Sequence, residues 1–350
     1  MRAWRDFVFG LLPISFSLLV TALLIVLVGK DPLEVARVLW SGAFGTSETL
    51  ASVVNFWIPL TLAALGLVVT FRAGLWNIGV EGQIMIGAVA ASGVALYVKG
   101  LPSPLLIGLS MAAAVMAGAL LGALIGFLKL RLGVNEIFGG VALNALVNVA
   151  SIYLISGPWQ PAEGGSAQAT SPFPMDARLP LISPIFPTSL LMLVLTVLAI
   201  GLIIRLLSGT RWGLQLKAVG KNPRSALLLG VPTGRSVFSA LALCGLLAGL
   251  GGAHRVLDTY YSLRPLVSGG IGFLALLVVL LAAMRALWAP LIAFVFAAIL
   301  GGTTRVRIRL QLDPSLAGVL QGLIVLTVVL FQGIRERYFA HHDESIEEKV

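Results

Sequence analysis

Apolar residues in this chain gather into ten long runs, at about 11–29, 51–70, 79–98, 104–127, 136–156, 188–207, 236–256, 270–287, 289–303 and 314–332. A bilayer hydrocarbon core near 30 Å takes roughly 20 apolar residues per helix. Each run has that order of length, although glycines or prolines cut the third and ninth short. Composition agrees: 58% of the 350 residues are hydrophobic and 11% charged, with a mean hydropathy of +0.99. A soluble globule could not hide that much apolar surface. An ordinary cytosolic enzyme, a disordered chain and a disulfide scaffold are therefore excluded. The fold class expected is all-α, a polytopic transmembrane bundle of about ten helices. Residues 1–340 would form one membrane domain and 341–350 a polar tail.

The first run needs separating from a secretion signal, because Met1–Arg5 is basic and Leu11–Gly29 apolar. The apolar stretch is longer than a signal core, no small-x-small cleavage site follows, and Lys30-Asp31-Pro32 reads as a helix end. It is kept as a span. Ten spans put both termini on one side. With the N-terminus inside, Arg2, Arg5, Arg72, Lys129, Arg131, Arg205, Arg211, Lys217, Lys221, Arg224, Arg235, Arg285, Arg335, Arg337 and Lys349 are all cytoplasmic, as the positive-inside bias requires. The net charge of 24 − 15 = +9 then reflects these loops, not nucleic-acid binding. Arg305, Arg307 and Arg309 fall outside on this reading, and their alternation suggests a short extended or interfacial element.

Loop 157–187 is rich in Pro, Gly, Ser and Ala and lies outside. Loop 208–235 lies inside and carries basic residues without an acid. The single cysteine, Cys244, cannot form an internal disulfide, and no Cys/His cluster for a metal exists.

Gly118, Gly122 and Gly126 recur every fourth residue, as do Gly245 and Gly249. Small residues at this spacing let helix backbones approach closely in lipid. The partner is open: another span, or a second subunit.

Polar groups at membrane depth are costly, and two segments carry them. In Phe71–Gln83, Asn77, Glu81 and Gln83 are interleaved with glycines that weaken a helix. Non-helical backbone at that depth is tolerated only where protein or a watery cavity satisfies it. A broken or re-entrant start to the third span, facing the interior, is expected. In the second segment Asn135 and Glu136 are followed by Gly140, Asn144 and Asn148. Steps of four drift by ~40° on a helix, so these residues form a slowly winding polar stripe. Asn144 and Asn148 either line a solute pathway or hold helices together. Glu81 and Glu136 either serve that pathway or pair with Arg72 and Arg131.

In the inner loop Asn222 suits an N-cap, Pro223 the first helical position and Gly230 the C′ position. A helix of about seven residues outside the membrane is expected, with Leu227–Leu229 needing cover. It rests on lipid or docks on a cytosolic partner. Gly220-Lys221 is not a phosphate loop, because Gln215 and Asn222 occupy the positions of the first glycine and the hydroxyl residue.

These stretches carry a resemblance. "FRAGLWNIGVEGQ" (Phe71–Gln83), "VNEIFGGVALN" (Val134–Asn144) with Ser156-Gly157-Pro158, "LKAVGKNPRSALLLGV" (Leu216–Val231) and "GVLQGLIVLTVVLF" (Gly318–Phe331) resemble permease subunits of ATP-binding-cassette importers of the ribose, branched-chain amino acid and nucleoside type. The second motif resembles the nucleoside and simple-sugar branch, although Phe138-Gly139-Gly140 stands where hydroxyl residues are usual. The resemblance implies a membrane permease without a cofactor of its own. It implies as partners a second permease subunit, a cytosolic ATPase that uses the ATP, and an extracytoplasmic solute-binding lipoprotein. The ATPase-docking residues would be Lys221, Asn222, Pro223, Arg224, Ser225, Ala226 and Gly230. Asn77, Glu81, Gln83, Asn135, Glu136, Asn144 and Asn148 are the pathway candidates. A nucleoside or related sugar-type solute is the leading expectation; free sugars, branched-chain amino acids and an ion-coupled transporter are the alternatives.

Overall fold

The computed structural model describes residues 16, 18–161 and 168–311, with 319, 322, 323, 326, 327 and 330. Most of the tenth apolar run, the tail and part of the first run lie outside the described residues. The helices are α1 (Leu18–Leu27), α2 (Pro32–Phe44), α3 (Ser47–Arg72), α4 (Val80–Tyr97), α5 (Ser103–Leu132), α6 (Glu136–Ser156), α7 (Leu190–Gly209), α8 (Arg211–Lys221), α9 (Pro223–Leu228), α10 (Thr233–His254), α11 (Ile271–Leu281) and α12 (Ala289–Leu310). A short hairpin, β1 (Leu181–Ser183) and β2 (Phe186–Ser189), precedes α7. Among the described residues seven helices are long and apolar enough to cross a membrane, α10 counted together with its continuation to Tyr260. The chain is thus an all-α polytopic membrane protein.

Two compact units are present, one of residues 1–49 and 298–350, the other of residues 50–297. In the first, Asp31 caps α2 by accepting from Leu33 N–H at 2.9 Å, and Pro32 takes the first turn. Gly42 and Gly302 meet backbone to backbone, and Arg305 donates to the Ser41 carbonyl at 2.8 Å. This corrects the expectation at Arg305–Arg309: the segment continues α12 as helix.

The second unit is organised around α10, which three helices approach at van der Waals contact. A Cβ on Gly245 would strike the Gly118 carbonyl, and one on Gly249 the Ala114 carbonyl. Gly122 lies against the Leu241 carbonyl, and Gly126 against Phe238. The glycine rows of α5 and α10 are therefore each other's partner. On other faces of α10, Gly87 of α4 touches Gly249, and Gly66 of α3 touches Cys244. Association in lipid relies on such packing, since burial from water contributes nothing there. α6 and α7 are the least enclosed, with only 22% of their apolar windows buried, against 78% for α3. They form the flanks of the unit.

Candidate functional site

The chain breaks its helices twice in the second unit, and the breaks meet at Glu81. The first break is 73–79, between α3 and α4, where Gly74 has φ +73°. The second begins where α10 widens into a π-helical turn, Arg255–Tyr260, and runs to Gly270. Tyr261 and Leu266 adopt left-handed φ of 52° and 53°. Such turns and strained residues concentrate at functional positions.

Glu81 is 6% exposed. Its carboxylate accepts from Ser268 Oγ at 2.5 Å, Gly270 N–H at 3.1 Å and Gly272 N–H at 2.7 Å. It is thus the N-terminal cap of α11, supplied from another helix, where orphan N–H groups and the helix dipole favour an anion. The buried Arg255 holds the same loop. Its guanidinium donates to the Val267 carbonyl at 3.2 Å and to Tyr260 Oη at 2.5 Å, and lies over the Phe56 and Tyr260 rings. Carboxylate and guanidinium together fix residues 267–272.

The first break is gripped from three sides. Asn77, fully buried, donates to Gln83 Oε1 and to Cys244 Sγ, both at 3.1 Å. Asn144 of α6 accepts from Gly82 N–H at 2.7 Å and donates to the Ile78 carbonyl at 2.9 Å. Glu136 accepts from Trp76 N–H at 3.4 Å and pairs with Lys129 at 2.5 Å, rather than with Arg131. Gly140 lies against Gly79 backbone to backbone. The polar stripe of α6 is therefore turned toward this break as far as Asn144. One turn on, the Asn148 side-chain oxygen is buried and has no hydrogen-bond partner among the described residues. Asn135 caps α6 by accepting from Ile137 N–H at 2.8 Å.

Near the second break, His254 and Asp258 lie 3.7 Å apart, and His254 Nε2 reaches the Asn55 carbonyl at 3.3 Å. Among the described residues, Asn55 Oδ1 and Ser189 Oγ are buried without a hydrogen-bond partner. Sequence reasoning passed over Arg255, Asp258 and Ser268. The signal was "HRVLD", three ionisable residues in five, which the span boundary at 256 split. A cavity of about 820 Å³ between the start of α5 and residues 175–181 is lined by none of the pathway candidates.

The loop helices stand apart from these breaks but touch the first. Asn222 accepts from Ser225 N–H at 3.1 Å as N-cap of α9, and Gly230 beyond its end has φ +78°. Ala226 is buried, whereas Leu227, Leu228 and Leu229 are 61%, 88% and 82% exposed. Lys221, Arg224 and Ser225 are exposed with them. At the end of α8, Gly220 sits on the turn that opens the first break. A Cβ there would overlap the Arg72 carbonyl and lie 3.0 Å from Gly74 N.

The profile of the family described as branched-chain amino acid transport system / permease component matches residues 49–329. A glucose ABC transporter permease protein of Haloferax volcanii is 28% identical over 340 residues, 93% of this chain and 88% of that one. A guanosine ABC transporter permease protein of Bacillus subtilis is 27% identical over 92% of this chain and 91% of its own length. A nucleoside ABC transporter permease protein of Lactococcus lactis is 28% identical over 71% of this chain and 70% of its own. With four-fifths of its length inside the profile, the chain belongs to the family of permease components of branched-chain amino acid-type transport systems.

Proposed function

We propose that this permease forms half of the pathway of an ATP-binding-cassette importer for a nucleoside or related sugar-type solute. The protein is a multi-pass plasma-membrane permease, not an enzyme. ATP is hydrolysed on a separate cytosolic subunit, a second permease completes the path, and a binding lipoprotein delivers solute from outside. The relatives named for guanosine, nucleosides and glucose support this solute class.

The observation that carries the reading is α9. Six helical residues are too few to be stable alone, yet they are capped at both ends and project three consecutive exposed leucines. A cytosolic ATPase covering Leu227–Leu229 and contacting Lys221–Ala226 accounts for all of this. Orientation follows: α8, α9, Arg72 and Arg285 face the cytoplasm. Movement of α9 passes through α8 and Gly220 to the turn at Arg72–Gly74, and so to the break that ends at Glu81. Asn148, whose side-chain oxygen has no partner among the described residues, is offered to the solute, and Asn77, Glu81, Gln83, Asn135, Glu136 and Asn144 shape the wall of its path.

Uptake of labelled guanosine and of labelled glucose, in cells with and without this chain, tests the solute. Loss of nucleoside uptake on deletion is the expected result. Unchanged uptake of both removes the solute assignment, and uptake that survives ATP depletion but collapses with the proton gradient favours an ion-coupled transporter.

A further inference from the structure

Three cations share one cavity of about 390 Å³: Arg72 at the end of α3, Lys217 on α8 and Arg285 after α11. No acidic side chain lines this cavity, and among the described residues none of the three forms an ion pair. The first turn of α8 also lines it, through Thr210 and Gly213, and adds the positive end of a helix. Like charges gathered without a counter-charge call for an anion. Apart from Ser208 the remaining wall is apolar, with Leu214 69% and Leu287 62% exposed. The cavity also abuts α7, one of the two spans least enclosed by protein.

We propose that this cavity binds the headgroup of an anionic phospholipid. Arg72 ends one span, Ser208 lies at the end of another and Arg285 follows α11, so the cations sit where hydrocarbon gives way to headgroups. Basic pockets between membrane helices suit lipid phosphates at this level. The phosphodiester meets Arg72, Lys217 and Arg285, and the acyl chains run along α7 and the leucines. Free phosphate would neutralise the cations but leave Leu214 and Leu287 facing water. The lipid fits both halves of the site. Only the leaflet, the inner one, depends on the orientation given above; the site itself holds whichever solute is carried.

Native mass spectrometry of the purified transporter complex tests this, with phosphatidylglycerol and phosphatidylcholine as probes and inorganic phosphate as competitor. Wild type should retain phosphatidylglycerol in preference to phosphatidylcholine, and phosphate should not displace it. The double variant Lys217→Glu/Arg285→Glu should lose that preference about tenfold or more, while Lys99→Glu, an exposed lysine elsewhere, keeps it. An unchanged preference in the double variant overturns the proposal. Displacement by phosphate alone shows a free-anion site and overturns it too. So does loss of the ATPase from the double variant's complex with lipid binding intact, which would mark a protein contact.

Discussion

Placing a side chain on Gly220 should abolish uptake while leaving the protein in the membrane. A Cβ at this position overlaps the Arg72 carbonyl and presses on Gly74, whose φ of +73° leaves the turn little room to adjust. Valine adds two further methyls on the same side. α8 must then lift off the turn. The cores of α5 and α10 are untouched, because their glycine contacts lie elsewhere. α9 keeps its own cap at Asn222 and should still bind its ATPase. What is lost is the contact through which α9 reaches residues 73–79. Alterations along a coupling route change coupling by factors of up to about thirty, so Gly220→Val should lower uptake about tenfold or more with ATPase activity preserved. Uptake in cells and ATP hydrolysis in proteoliposomes, each scaled to the amount of permease, measure the two quantities. Parallel loss of both points to misfolding, and normal uptake removes Gly220 from the route.

Removing the Glu81 carboxylate should strongly destabilise the second unit. Glu81→Ala leaves Ser268 Oγ, Gly270 N–H and Gly272 N–H without an acceptor. Hydrogen bonds to a charged group contribute about 1.5–3 kcal/mol each. Glu81→Ala should therefore melt many degrees below wild type in detergent. Glu81→Gln keeps an acceptor but loses the charge at the start of α11, and should fall between the two. Equal melting of Glu81→Ala and wild type would mean that the carboxylate does not hold the loop.

Some of this architecture was readable from residue types. Glycines at every fourth position announced close crossings, because only a missing Cβ allows them, and α5 and α10 turn out to carry the two matching rows. Asn222, Pro223 and Gly230 announced α9 because capping chemistry is local. The break after Arg72 was visible because glycines and polar residues interrupt an apolar run there. What escaped was non-local. Ser268 lies 187 residues from Glu81, and Cys244 lies 167 from Asn77; no periodicity links such pairs. α2 was overlooked despite its Asp31-Pro32 cap, since it is too short to span a bilayer. The alternating arginines after Thr304 suggested extended chain, but α12 carries Arg305 and Arg309 on one side of a helix and Arg307 on the other, with Arg305 tied to Ser41.

The central claim is that α9 is the handle on which a cytosolic ATPase pulls. Cross-linking from Ser225→Cys, in a Cys244→Ser background and with the co-expressed ATPase, tests it most directly. The account predicts a permease–ATPase adduct that depends on an intact α9 and disappears in Arg224→Glu. Labelling of position 225 by lipid-phase reagents alone, with no ATPase adduct, would contradict it.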